Sequence, residues 1–110
     1  MEQLEIEDMF SGLGRVTIRR MFGGRGIYYR GEIIAVEFRG DVLLKADVVS
    51  APAFEAAGAR QWAHKDKNGK AVNMPYWSIP EDALDDADTM ASWVRLAYEA
   101  ALRSAKLKRK

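Results

Sequence analysis

Residues 16–46 read VTIRRMFGGRGIYYRGEIIAVEFRGDVLLKA, and the punctuation of this stretch decides the fold class. Val16 to Met21 alternates with a period of two, and Gly23-Gly24 turns the chain. Gly26 to Tyr29 follows and turns at Arg30-Gly31-Glu32. Ile33 to Phe38 then turns at Arg39-Gly40-Asp41, and Val42 to Ala46 closes the run. A strand presents successive side chains to opposite faces, and glycine supplies the positive φ that a tight hairpin loop requires. Four β-rich runs joined by turns of two or three residues therefore predict consecutive antiparallel hairpins.

Working outward, Ile6, Met9, Phe10 and Leu13 recur at helical spacing, and Gly12 and Gly14 supply a stop. This predicts an amphipathic helix over residues 2–12. On the other side, Ser50-Ala51-Pro52 has the form of a serine-capped helix start with an early proline, and Gly58 ends that helix. Trp62 to Lys65 and Ala71 to Trp77 flank Asn68-Gly69, a strong hairpin signal. Pro75 has no N–H to give a ladder, so its strand should lie at an edge or carry a bulge. Ser78-Ile79-Pro80-Glu81 has the form of a capping box with proline in the first turn.

A long last helix is predicted over about residues 87–105, with Met90, Trp93, Val94, Ala97 and Ala101 on one stripe. Asp85, Asp86 and Asp88 lie toward its positive end, Arg103 and Lys106 toward its negative end. The order α-β-β-β-β-α-β-β-α predicts an α+β fold of two layers, an antiparallel sheet with the helices on one face.

The 110 residues, 48% hydrophobic and 30% charged, suit one globular domain over residues 1–105 with a basic tail at 106–110. The absence of cysteine excludes disulfides, thiolate metal ligands and a thiol nucleophile. No apolar run approaches the roughly 18 residues that span a bilayer. The acidic start Met1-Glu2-Gln3-Leu4-Glu5 lacks the features of a signal peptide. A cytoplasmic location and no membrane partner are the expectation. Net charge is +1, yet Arg15, Arg19, Arg20, Arg25 and Arg30 fall in a stretch without acids, and Glu81 to Asp88 is a stretch without bases. Such asymmetry can steer a charged partner, or it can be the solvated side of an ordinary fold.

Catalytic signatures are missing. His64 is the single histidine and has no His-x-x-x-His partner, so it reads as a polar strand residue beside Trp62. No nucleophile elbow accompanies the serines. No metal or cofactor is expected. Gly23-Gly24-Arg25-Gly26 can cradle a phosphate through backbone N–H groups, but phosphate loops of that kind run from a strand into a helix, and this one joins two β-patterned runs. Trp62, Tyr76, Trp77, Trp93 and Tyr98 are expected to pack between the last hairpin and the last helix, the alternative being a stacking platform for single-stranded nucleic acid.

The run Arg19-Arg20-Met21-Phe22-Gly23-Gly24-x-Gly26-Ile27-Tyr28, then Leu44-Lys45-Ala46-Asp47, Phe54-Glu55-Ala56-Ala57-Gly58 and Met74-Pro75-Tyr76-Trp77-x-Ile79-Pro80-Glu81, resembles the N-terminal domain of the TfoX/Sxy family. These segments come in the family's order and cover nearly the whole chain. The resemblance implies a two-layer α+β fold similar to type III secretion chaperones, and a non-enzymatic role. Founding members are bacterial regulators of natural competence that act with the cyclic-AMP receptor protein at a subset of its promoters. They carry a second, C-terminal domain; a stand-alone copy of the first is the expectation here. The implied partner is a protein of transcription, a cyclic-AMP receptor protein-like regulator or RNA polymerase, and the chaperones' dimeric state makes a homodimer a further expectation. The residues expected to meet a partner are Arg19, Arg20 and Arg25 on the first hairpin and Tyr76 and Trp77 near Pro75. Alternatives are weak, direct nucleic-acid binding through the arginine-rich hairpin and the Lys106–Lys110 tail, and small-ligand or phosphate binding at the Gly23–Gly26 turn.

Overall fold

A computed structural model of the chain describes residues 2–21 and 23–108. The first block is the predicted run of hairpins. Strands β1 (Thr17–Met21), β2 (Gly24–Tyr29), β3 (Glu32–Phe38) and β4 (Asp41–Lys45) each pair antiparallel with the next. The β2–β3 and β3–β4 loops are Arg30-Gly31 and Arg39-Gly40, with φ values of 49° and 83° in one and 53° and 88° in the other. Two consecutive positive φ angles are the signature of the type I′ turn, whose twist matches that of the strands it joins. Arginine holds the first place in both turns, where asparagine or glycine would be less strained. At the β1–β2 hairpin Gly23 takes φ 71°, and Gly24 has no room for a side chain: a Cβ there would overlap the Glu37 carbonyl oxygen and the Phe38 ring.

The second block is helix α2 (Ala51–Ala56) followed by the hairpin of β5 (Gln61–Lys65) and β6 (Ala71–Ser78). Strand β6 also pairs with β4, through Leu43 with Ser78, Leu44 with Trp77 and Lys45 with Tyr76. One six-stranded sheet results, in the order β1-β2-β3-β4-β6-β5. Pro75 is therefore not on an edge strand. It falls just past the last β4–β6 pair, its carbonyl accepts the Ala46 N–H at 3.0 Å, and the β5–β6 register slips between Gln61 and Ala63. Of the two alternatives for Pro75 the bulge holds, and the edges are β1 and β5.

Local competition moved several helix boundaries. Helix α1 (Gln3–Met9) is shorter than the predicted 2–12 and is capped by Glu2 and Glu5, with the chain leaving as turns from Phe10 onward. The Ser50 hydroxyl does not cap α2; it donates to Asp47 Oδ1 at 3.2 Å and accepts the Asp47 N–H at 3.1 Å. The expected capping box at Ser78 is absent. Ser78 Oγ accepts the Arg60 N–H at 2.9 Å, and a short 3₁₀ turn, Glu81–Ala83, follows instead. Helix α3 (Ala87–Lys108) outruns its predicted end and takes in Lys106 and Lys108 of the supposed tail; Arg109 and Lys110 lie outside the described residues. Asp86 caps its start, accepting from the Thr89 hydroxyl at 2.6 Å and the Asp88 N–H at 3.2 Å, and these donors hold its carboxyl below the ordinary value.

The core lies between the sheet and the helices, on one face. Row by row it reads Ile18, Ile27, Ala35, Leu44 and Trp77 across five strands, met by Val94 and Ala97 of α3 and by Ile6 and Phe10. Phe54 of α2 is fully buried, its ring 4.7 Å from that of Trp93 and 6.2 Å from that of Trp77. Arg103 does not serve the end of its own helix as the charge pattern suggested. Its guanidinium grips Asp47 through both oxygens, at 2.6 and 3.0 Å, and ties α3 to the segment between β4 and α2. That guanidinium, helped by the Ser50 N–H and hydroxyl, brings the Asp47 carboxyl from 3.8 down to about 2.

Two outcomes follow from this packing. Phe54→Ala should cost about 3–5 kcal/mol, as an aromatic truncation at a site with no freedom to collapse; urea unfolding monitored by tryptophan fluorescence will measure it. The Asp47 pKa is lower folded than unfolded, so its contribution is fully present above the unfolded value near 3.8 and is lost as pH falls toward 2. Asp47→Asn should therefore melt below the native chain at neutral pH, and the gap should close in thermal scans carried down to pH 2.

Candidate partner-binding surface

The β4–β6 register sorts the predicted contact residues onto two faces. Trp77 joins the core row and is buried there, while Tyr76, one residue earlier, faces away from the helices. The row beside the core row runs Arg19, Gly26, Val36, Leu43 and Ser78, and no helix covers it. Arg19 accordingly lies on this second face, its guanidinium 5.4 Å from the centre of the Tyr28 ring.

The helix-free face is apolar and concave. Phe38 of β3 and Trp62 of β5 bring their ring centres within 4.9 Å, although β4 and β6 lie between their strands. In a flat sheet those strands would be about 14 Å apart. The sheet therefore curls over this face and encloses an open groove of about 550 Å³, flanked by Met21, Val36 and Met74. Tyr76 forms its floor, 6.5 Å from the Trp62 ring and 5.7 Å from the Lys45 ammonium group. Burial pushes the Tyr76 hydroxyl above its ordinary pKa, and Tyr28 adds to the effect; burial likewise lowers that of Lys45. His64 lies beside Trp62 as the sequence suggested, with ring centres 6.0 Å apart, and its Nδ1 is 3.2 Å from the Lys65 carbonyl oxygen.

A second concavity, of about 490 Å³, opens at the tips of the first hairpins between Arg20, Gly23, Gly24 and Arg39. Arg25 and Glu37 form its wall. Arg25 Nε donates to Glu37 Oε1 at 2.8 Å, and Glu37 Oε2 accepts the Gly40 N–H at 2.9 Å. The guanidinium and that N–H hold the Glu37 carboxyl below its ordinary pKa. Arg25 is thus a brace between β2 and β3, whereas Arg20 and Arg39 are exposed and make no ion pair among the described residues. Met21 lines both concavities, so groove and cleft adjoin at the hairpin tips, with Arg20 and Arg25 on the sheet face opposite the groove.

The expectation that all five aromatics pack against the last helix needs correction. Trp77, Trp93 and Tyr98 do face the helical layer, Tyr98 meeting Tyr29 edge-on at 4.8 Å, but Trp62 and Tyr76 belong to the opposite face. Phe38, Met21 and Met74 were not anticipated as surface residues. Their signal was present in the period of two, since Met74 and Tyr76 must face opposite to Trp77 in one strand. Of the Gly23–Gly26 segment, Gly23 lies in the turn and Gly24 to Gly26 already pair with β1 as the start of β2, so the segment leads into a strand and not into a helix. Among the described residues no three His, Cys, Asp or Glu side chains gather where they could hold a metal ion, and no helix is long and apolar enough to cross a membrane.

No curated protein matches the chain. The family model for the TfoX N-terminal domain does, over residues 8–101, from α1 through both strand blocks and well into α3. With all but the ends of the sequence inside that match and an α+β fold to carry it, the chain belongs to the TfoX N-terminal domain family.

Proposed function

We propose that this domain is a non-enzymatic regulatory module that acts in the cytoplasm by binding a protein of the transcription machinery. The observation that carries the reading is the groove: Phe38, Trp62 and Tyr76 gathered on a sheet face that no helix covers. An apolar concavity on a small domain is suited to burying a partner's side chains. Acid–base chemistry needs paired ionisable groups close to a substrate, and His64 is exposed at the groove's edge with its Nδ1 beside the Lys65 carbonyl oxygen. The partner proposed on the family resemblance is a cyclic-AMP receptor protein-like regulator or RNA polymerase. The rival reading, direct nucleic-acid binding, draws on the arginine-rich hairpin and the Lys106–Lys110 tail, but adjacent positions on a strand send Arg19 and Arg20 to opposite faces and Arg25 is bonded to Glu37.

A photo-crosslinking amino acid at position 62, introduced in the native host, will test the proposal. The expected result is one dominant adduct with a transcription protein, lost when Phe38 is changed to Asp. Adducts spread over unrelated proteins, or none, would refute it. Gel shifts with genomic fragments should give only weak binding, no tighter than about 10⁻⁴–10⁻⁶ M near physiological salt. Sequence-selective nanomolar binding would favour the nucleic-acid reading.

A further inference from the structure

The groove and the arginine cleft share a wall at Met21, and their chemistry is complementary rather than alike. The groove is lined by aromatic and thioether side chains, which suit bulky apolar anchors. Three arginines and a single carboxylate line the cleft, and that carboxylate, Glu37, is already committed to Arg25 and to the Gly40 N–H. Among the described residues Arg20 and Arg39 have no ion-pair partner. Asp41, opposite Phe38 in the β3–β4 register, is exposed to solvent and screened by it. Arg39 also holds a left-handed φ of 53° that asparagine or glycine would adopt with less strain.

We propose that groove and cleft form one continuous docking surface for a peptide segment of the partner protein, with apolar anchors seated against Phe38, Trp62 and Tyr76 and acidic side chains following them past Met21 and over the hairpin tips to Arg20 and Arg39. This rests on the protein-interaction reading above and specifies the chemistry of the partner. Charge decides among the occupants. A single strand of nucleic acid needs cations along its whole track and aromatic faces laid open for stacking. Here Arg20 and Arg39 stand together beyond one end, Lys45 and Arg19 are each set against a tyrosine ring, and the aromatic rings of the groove turn into one another. A second copy could offer Leu84, exposed among Glu81, Asp82 and Asp85, and an oligomer that excludes the peptide is the outcome that would show it.

The test begins with a random-peptide library selected on the full chain. Enriched peptides should carry Phe, Trp, Leu or Met anchors with Asp or Glu to one side. In fluorescence anisotropy, replacing those acids by lysine should weaken binding at least about 10-fold, and Arg20→Glu with Arg39→Glu should do the same to the acidic peptide. The double variant should regain affinity for the lysine peptide, an exchange that a misfolded chain cannot produce. On the unmodified protein, NMR shifts caused by the acidic peptide should centre on Met21, Phe38, Trp62 and Tyr76. Enriched peptides without acids, no recovery on charge exchange, shifts centred elsewhere, displacement of the peptide by oligothymidine, or a chain-length oligomer that excludes it would each overturn the proposal. If the position-62 crosslink to a transcription protein persists while these results fail, the docking chemistry is wrong and the interaction reading survives. If no such crosslink forms, the reading itself fails.

Discussion

Three backbone pairs between β4 and β6, Leu43 with Ser78, Leu44 with Trp77 and Lys45 with Tyr76, hold the molecule together as one sheet. Without them the chain would be a four-stranded meander and a separate two-stranded hairpin, and an isolated hairpin is marginal in water. The pairing also fixes the fate of two adjacent aromatics. Because side chains alternate, a register that sends Trp77 into the core commits Tyr76 to the opposite face, and a slip of one residue would exchange them. The apolar groove is thus a by-product of the same register that completes the core.

The curl of the sheet turns that by-product into a surface. Phe38 and Trp62 touch across two intervening strands, so a face that would otherwise be a flat apolar patch becomes concave. Concavity lets the rings cover one another: Tyr76 is only 8% exposed although no helix lies over it. The domain can therefore carry a helix-free aromatic face at little cost in exposed apolar area, because the face is half buried by itself.

Element order and the hairpin punctuation were legible in the sequence because they rest on local chemistry: glycines at positive φ, a two-residue period, and a long apolar stripe in α3. The same locality explains the misses. Ser50 and Ser78 have the composition of caps, but Asp47, three residues upstream and itself held by Arg103, and Arg60, brought near by the fold, claim their hydroxyls. Pro75 reads as either an edge or a bulge, and the long-range β4–β6 pairing that decides for the bulge cannot be seen from one strand's sequence. Arg25 looks like its neighbours Arg19 and Arg20 until Glu37, twelve residues away, is placed beside it. Of the candidate contact residues, the sequence could place Tyr76 and Trp77 on opposite faces but could not say which face the helices would cover.

Both ends of the sheet are open strands, β1 and β5, and open strands invite pairing with another chain. Arg19 and Arg20 on β1, and Lys65 closing β5, set charge where such pairing would begin. Those arginines, one of which lines the proposed docking surface, therefore also keep the β1 edge repellent to pairing. Removing positive charge there would expose an edge to aggregation, whereas reversing it keeps the edge repellent, so charge reversal leaves more freedom than neutralisation.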